Sequence, residues 1–275
     1  MNPRNLLLFL CSLIGLNCLP LFADDTEEIY RYERMWPVLQ QPWYLDDIRD
    51  IAISSQGYVY VVNREHNRIE KLTLDGHLIS HFGTFHDGFK PTQMAVDSEE
   101  NFYVIYRHDH LTPKSYLIRK FNALGDLISD KWGQKSQCVK DAFHDIAVDN
   151  QDHVYVTCEP TSGQPIVEKL SKDGTSLYEW FVKPLQNDES MGATKITIND
   201  NYVYVLESHN HRIRKYTKYG ELKNVWGGYG SEEGKFKYPQ KIAIDSHGNI
   251  YVTDNDNNRI QKFNSEGEFI KAWSE

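Results

Sequence analysis

Apolar and polar positions alternate over short runs along most of this chain, and turn residues separate the runs. The stretch Pro239–Trp273 shows the pattern most plainly. It holds four apolar runs, Ile242–Ile244, Ile250–Thr253, Ile260–Phe263 and Phe269–Trp273, with His247-Gly248-Asn249 and Ser265-Glu266-Gly267 between them. The runs are β-branched and aromatic and too short for helices, and Gly and Asn accept the positive φ of tight turns. A four-stranded antiparallel meander is predicted.

The meander recurs. Inner apolar triplets begin at Ile51, Met94, Ile146, Ile196 and Ile242. A tyrosine follows eight or nine residues later, at Tyr60, Tyr103, Tyr155, Tyr204 and Tyr251. A lysine precedes a glycine by five residues in all five copies: Lys71 and Gly76, Lys120 and Gly125, Lys169 and Gly174, Lys215 and Gly220, Lys262 and Gly267. An aromatic residue closes each unit, at Phe82, Trp132, Trp180, Trp226 and Trp273. A period of 43 to 52 residues with four strands per unit predicts an all-β fold, a β-propeller with five complete blades. One such sheet cannot bury both its faces, whereas radial stacking against neighbours does so. Ile29–Trp36 reads as an outermost strand placed before the first complete unit, so five blades and an incomplete six-bladed plan both remain open.

The triads Asn67-Arg68-Ile69 and Asn258-Arg259-Ile260, the related His211-Arg212-Ile213, and the Ile-Ala-Val-Asp type of triplet give the chain its family likeness. Over about residues 43–275 it resembles the NHL-repeat family. That resemblance implies the propeller and says little about chemistry, because a fold does not fix a function.

Met1–Ala23 is a separate object, with Arg4 at a positive start, an apolar Leu6–Leu16 and Asp24-Asp25 after Ala23. It reads as a secretory signal peptide cleaved after Ala23, which predicts a secreted or periplasmic protein. Residues 24–42 form an N-terminal segment with a strand at 29–36, and 43–275 form the propeller. The apolar run is too short to span a bilayer, so no membrane insertion is expected after cleavage. The formal net charge is −9, and loss of Arg4 makes it one unit more negative. That balance argues against nucleic acid, which needs a basic patch. Cys138 and Cys158 flank the first two strands of the third unit and fall on one face of it. In an oxidising compartment they are expected to pair as a disulfide; two unpaired buried thiols are the alternative.

The topology puts all long loops on one face and tight turns on the other, and binding favours the long-loop face. Residues just before the inner triplets, Asp50, Gln93, Asp145, Lys195 and Lys241, should ring the channel mouth, either binding a polar ligand or bridging blades as ion pairs. Loop residues His66, Arg107, His108, His110, His209 and His211 lie on the same side. His108 with His110 and His209 with His211 are i, i+2 pairs, which point together only on a strand. A distant similarity to the peptidyl-hydroxyglycine amidating lyases implies metal-binding histidines two residues before inner strands. Only His144, in Phe143-His144-Asp145-Ile146, has that placement, and three protein ligands are the usual catalytic minimum. Zinc or calcium is therefore secondary, with no resident cofactor expected. The sequence has neither a Gly-x-Ser-x-Gly elbow nor a phosphate-cradling glycine loop. The reading is a binding module for a protein, peptide or glycan on the long-loop face; a metal-dependent lyase or hydrolase is the alternative.

Overall fold

The repeated residues of the sequence turn out to touch one another, and those contacts make the blades. In the second, third and fifth units an aspartate ends the inner strand and caps the turn that follows. Asp97 accepts from the backbone N–H groups of Glu99 and Asn101, Asp149 from Gln151 and His153, and Asp245 from His247 and Asn249. Each also accepts the hydroxyl of the repeated tyrosine, Tyr103 at 3.1 Å, Tyr155 at 3.3 Å and Tyr251 at 3.2 Å. The repeated lysine lies over the same ring: Lys71 over Tyr60, Lys120 over Tyr103, Lys169 over Tyr155, Lys215 over Tyr204 and Lys262 over Tyr251, at 4.8–6.0 Å from the centroid. One tyrosine thus ties the first turn to the third strand through a buried hydrogen bond and a cation–π contact. Burial first, and then the adjacent aspartate, push the Tyr103 and Tyr155 hydroxyls far above the ordinary tyrosine range.

A computed structural model describes residues 18–21, 29–32, 45–108, 110–111, 115–134, 136, 138, 142–159, 164–185 and 195–274. It contains five four-stranded antiparallel sheets, each formed by consecutive strands. From inner to outer, the first blade is Ile48–Ile53, Val59–Asn63, Arg68–Leu72 and Leu78–Phe82. The second is Phe89–Val96, Phe102–His108, Ser115–Phe121 and Leu127–Trp132. The third is Ala142–Val148, Val154–Glu159, Ile166–Leu170 and Ser176–Phe181. The fourth is Lys195–Ile198, Tyr202–Glu207, Arg212–Thr217 and Leu222–Gly227, and the fifth Pro239–Ile244, Ile250–Asp254, Arg259–Phe263 and Phe269–Ser274. Cys18–Leu21 and Ile29–Tyr32 pair separately as two antiparallel strands, a pairing that crosses the cleavage expected after Ala23. Met1–Asn17, Phe22 and Ala23, the rest of the expected leader, lie outside the described residues. No described helix is long and apolar enough to cross a membrane.

Apolar cores form between successive blades. Tyr60, Val62 and Ile69 pack on Met94, Phe102 and Val104; Tyr103, Ile105 and Trp132 on Ile146, Val154 and Val156. Tyr155 and Trp180 meet Ile196, Val203 and Val205, while Tyr204, Leu206 and Ile213 meet Ile242, Ile250 and Val252. The closing aromatics have a defined seat. A Cβ built on Gly220 would fall 2.5 Å from Trp180, one on Gly267 2.5 Å from Trp226, and one on Gly125 2.7 Å from Phe82. These glycines have φ of +78°, +83° and +86°, so the turn and the neighbouring blade's ring both require glycine there. The structure joins Cys138 and Cys158 in a disulfide, Cα–Cα 5.8 Å, inside the core between the second and third blades.

The first hairpin turn departs from the predicted pattern. Glycine takes positive φ there only in the first and fifth blades, at Gly57 and Gly248. Glu100 and Asp152 hold φ +61° in the second and third, because the capping aspartate and cross-blade bonds compensate: Glu100 accepts from Tyr60 and Asp152 from Ser98.

Candidate functional site

The inner strands of four blades carry a β-bulge at the same point, between Ile48 and Asp50, Pro91 and Gln93, Phe143 and Asp145, and Pro239 and Lys241. A bulge re-aims the side chain beside it. The result is one buried polar cluster at the axis. Lys241 Nζ donates to Asp50 Oδ1 at 2.7 Å and to Gln93 Oε1 at 2.9 Å. Lys195 Nζ donates to the same Gln93 oxygen at 2.9 Å and to the His144 carbonyl at 3.3 Å, and lies 3.9 Å from Asp145. The second carboxylate oxygens cap the next blade: Asp50 accepts from Met94 N–H and Asp145 from Ile196 N–H. Two carboxylates and two ammonium groups balance within the cluster. Asp50, Gln93 and Asp145 are buried, and the Lys195 and Lys241 side chains keep only 16% and 12% exposure. Burial lowers Lys195 to about 8 against the upward pull of Asp145 and Asp50, and the Lys241 charge adds to the lowering. Lys241 is raised, because Asp50 in direct contact outweighs burial. Burial raises Asp145 against the pull of both lysines. Behind the cluster an axial cavity of about 260 Å³ is walled by Ala52, Ala95, Ala147, Thr197 and Ala243.

This arrangement links the five predicted ring residues to one another and to the next blade through hydrogen bonds and ion pairs. Its carboxylates face ammonium groups, so it offers no cation a site. His144 sits at the bulge. Its Nε2 is buried without a hydrogen bond, and the nearest carboxylate is Glu159 at 3.8 Å. Burial, and next the Lys195 charge, lower it to about 4, so the ring is neutral at pH 7. Among the described residues no three His, Cys, Asp or Glu side chains group as metal ligands would.

The predicted loop histidines separate into local groups. His66 contacts Asn63 Oδ1 at 3.0 Å. His108 stands edge-on to Phe89 at 5.0 Å and accepts from the His110 N–H, and Arg107 lies beside them, paired with Tyr116 across the sheet. His211 is held between two tyrosines, Tyr229 at 5.0 Å and Tyr238 at 4.8 Å, with His209 against Tyr238 at 6.2 Å. The Tyr238 N–H donates to His211 Nδ1 at 3.1 Å. Tyr229 is 67% and Tyr238 44% exposed, and Lys237 lies over the Tyr229 ring. Tyr238 and His211 both hold positive φ, +47° and +52°.

The family triads explain how these loops are shaped. Asn67, His211 and Asn258 occupy the left-handed region at φ +48° to +53°, which asparagine tolerates best among residues with a side chain. Each is followed by an arginine that anchors to a carboxylate: Arg68 to Glu70, Arg212 to Glu207, Arg259 to Asp254. Arg259 also donates to the carbonyls of Ser231, Glu232 and Lys235, and Gln261 adds bonds to Gly234 N–H and the Lys235 carbonyl. Gly228 N–H bonds the His211 carbonyl, and Phe236 N–H bonds the Gly228 carbonyl. The glycine-rich segment 227–230 is therefore a structured support for Tyr229, although its composition suggests only a pliant connection. Tyr229 and Tyr238 were not legible as site residues. Their signal was two aromatics flanking the connection into the fifth blade, opposite a histidine pair.

The family model for the NHL repeat matches residues 236–263, which hold the inner three strands of the fifth blade. The chain is a β-propeller of five four-stranded blades, and its fifth blade carries the match to the NHL repeat. No curated protein matches it in sequence. Solved structures resemble it at the level of fold. A streptogramin B lyase structure superposes with TM-score 0.59 at 20% identity, covering 82% of this chain and 68% of that one. A catalytically inactive virginiamycin B lyase from Staphylococcus aureus with quinupristin gives 0.57 at 17% identity, covering 82% and 69%. A nidogen/laminin complex gives 0.59 at 16% identity, covering 84% and 81%.

Proposed function

We propose that this propeller is an exported binding module that engages a protein ligand through its long-loop face. The observation that carries the reading is the exposed aromatic patch of Tyr229 and Tyr238 around His209 and His211. Exposed tyrosine rings held by a rigid scaffold give large contact area at small entropic cost, and tyrosine is enriched where protein interfaces concentrate their energy. The arginine-braced connection pre-orders that patch, which lowers the cost of binding. The nidogen/laminin complex supports the reading by showing this fold in a protein assembly. The leader-like Met1–Ala23 and the disulfide support export. The internally paired axial cluster supports binding at the rim rather than chemistry at the axis.

The test is affinity capture by the full chain from the producing organism, followed by binding measurements with the captured protein. The double variant Tyr229→Ala/Tyr238→Ala should weaken binding at least tenfold, whereas Tyr219→Ala on the tight-turn face should leave it unchanged. Binding that survives the double variant overturns the patch as the contact. A peptide or glycan that competes through the same tyrosines would narrow the ligand class.

A further inference from the structure

One of the family triads differs from the others at its first residue, and the difference falls on the aromatic patch. The first and fifth blades carry asparagine there, in Asn67-Arg68-Ile69 and Asn258-Arg259-Ile260, whereas the fourth carries histidine, in His211-Arg212-Ile213. All three residues hold the left-handed conformation. Asn67 and His211 also do the same work. Each lies between the second and third strands of its blade and reaches into the connection that enters the next blade. Asn67 Nδ2 donates to the Phe85 carbonyl, and His211 Nδ1 accepts from the Tyr238 N–H at 3.1 Å. The first bond is made by an amide. The second is made by a ring that ordinarily takes up a proton at about pH 6.5.

Geometry decides what that proton does. A backbone N–H only donates, so His211 Nδ1 must present its lone pair, and the hydrogen of the neutral ring sits on Nε2. Protonation puts a second hydrogen on Nδ1, aimed at the Tyr238 N–H, and turns the attraction into repulsion. Tyr238 and His211 hold φ +47° and +52°, a conformation that persists only where contacts enforce it. Both tyrosine rings of the patch also lean on the His211 ring, at 5.0 and 4.8 Å. His66 shows the opposite case: its Nδ1 faces Asn63 Oδ1 at 3.0 Å, an acceptor that a protonated ring keeps.

Charged groups stand around His211 on three elements. The fourth blade brings Arg212 and Arg214, both bound to Glu207, and His209 beyond the Tyr238 ring. The connection brings Lys237, over the Tyr229 ring, and Lys235, whose ammonium binds the Gly227 carbonyl. The fifth blade brings Asp254, bound to Arg259 and to the Lys237 N–H. Of these side-chain types only histidine ordinarily changes charge between about pH 5 and 8, which makes His209 the control.

We infer that His211 is a proton-operated latch on the aromatic patch: the neutral ring holds Tyr238 and Tyr229 in place, and the protonated ring releases them. This rests on the binding role proposed for that patch and adds its regulation. Ligand is held near neutral pH and let go in mildly acid surroundings. The ordered patch requires Nδ1 without a proton, so ligand binding and proton uptake oppose each other, and affinity falls as pH falls through the histidine range.

The test begins without ligand, by NMR on the full chain labelled with nitrogen-15 tyrosine. Between about pH 8 and about pH 5 the Tyr238 amide should titrate as one histidine and exchange its hydrogen faster at the acid end. His211→Asn keeps an acceptor and a residue type that the left-handed position accepts in two other blades, and should abolish that titration. His209→Gln should leave the titration in place. A Tyr238 amide that stays flat in the native chain, or titrates unchanged in His211→Asn, overturns the latch. With the captured protein, affinity of the native chain should fall about tenfold from about pH 7.5 to about pH 5.5, as loss of one hydrogen bond allows, and that of His211→Asn should hold. Binding that needs the tyrosines yet ignores pH sinks the latch and leaves the binding reading standing. Binding that ignores the tyrosines sinks that reading, and the amide titration still decides the latch.

Discussion

Gly267→Ala and Gly248→Ala form a matched pair, because both glycines lie in the fifth blade with φ +83°. Either alanine must hold a left-handed conformation, at a cost of about 1–2 kcal/mol. They differ in what the new methyl group meets. At Gly248 the nearest atom is Ser265 Cβ at 4.0 Å, an ordinary contact. At Gly267 the methyl would lie 2.5 Å from the Trp226 ring, with two further ring atoms at 2.7 and 2.8 Å. Trp226 packs against Tyr204 and Phe263, so it moves only by disturbing the core between the fourth and fifth blades. Overpacking of that kind costs about 1–3 kcal/mol more. Urea unfolding should place Gly267→Ala below Gly248→Ala by that margin at unchanged m. In a domain of this size it corresponds to about 2–4 °C in Tm per kcal/mol. Equal losses would refute the idea that each closing aromatic locks its blade to the next.

Three further outcomes follow from the axial cluster and the disulfide. Asp50→Asn keeps an acceptor for Met94 N–H but strands the Lys241 ammonium, and should cost about 3 kcal/mol in urea unfolding; adding Lys241→Met should recover most of it. Lys195, lowered to about 8, holds fewer protons in the folded state than in the unfolded state between that pH and its ordinary value. Stability should therefore rise with pH across that window, by about 3 kcal/mol relative to Lys195→Met, as read from urea midpoints of the two proteins. The raised Lys241 adds the opposite slope only at still higher pH. Replacing both Cys138 and Cys158 by alanine should lower stability by about 3 kcal/mol, measured against the untreated oxidised protein.

The blade plan was legible because its anchors bind one another. Tyr, Lys, Gly and the closing aromatic recur at fixed offsets since a Tyr–Asp hydrogen bond, a cation–π contact and a ring-on-glycine seat each fix a distance along the strands. The Asn-Arg signature was legible for the same reason, as a left-handed residue followed by a carboxylate anchor. What sequence left open was which long-range partners meet. Asp50 and Lys241 stand at opposite ends of the array, and nothing local reveals that their charges cancel at the axis. The histidines looked like one set because they share a face; around the ring, however, His108 and His211 belong to different blades with a third between them. Tyr229 was hidden by its glycines, whose apparent pliancy is cancelled by Arg259, a residue some thirty positions further on.

The most direct measurement places a photo-crosslinking phenylalanine at Tyr229, at Tyr238 or at Tyr219 of the full chain in the producing cells. A binding module that works through its long-loop face should give one discrete protein adduct from positions 229 and 238 and none from 219. Adducts from 219 alone, or none from any position with the protein folded and at its native level, would contradict it.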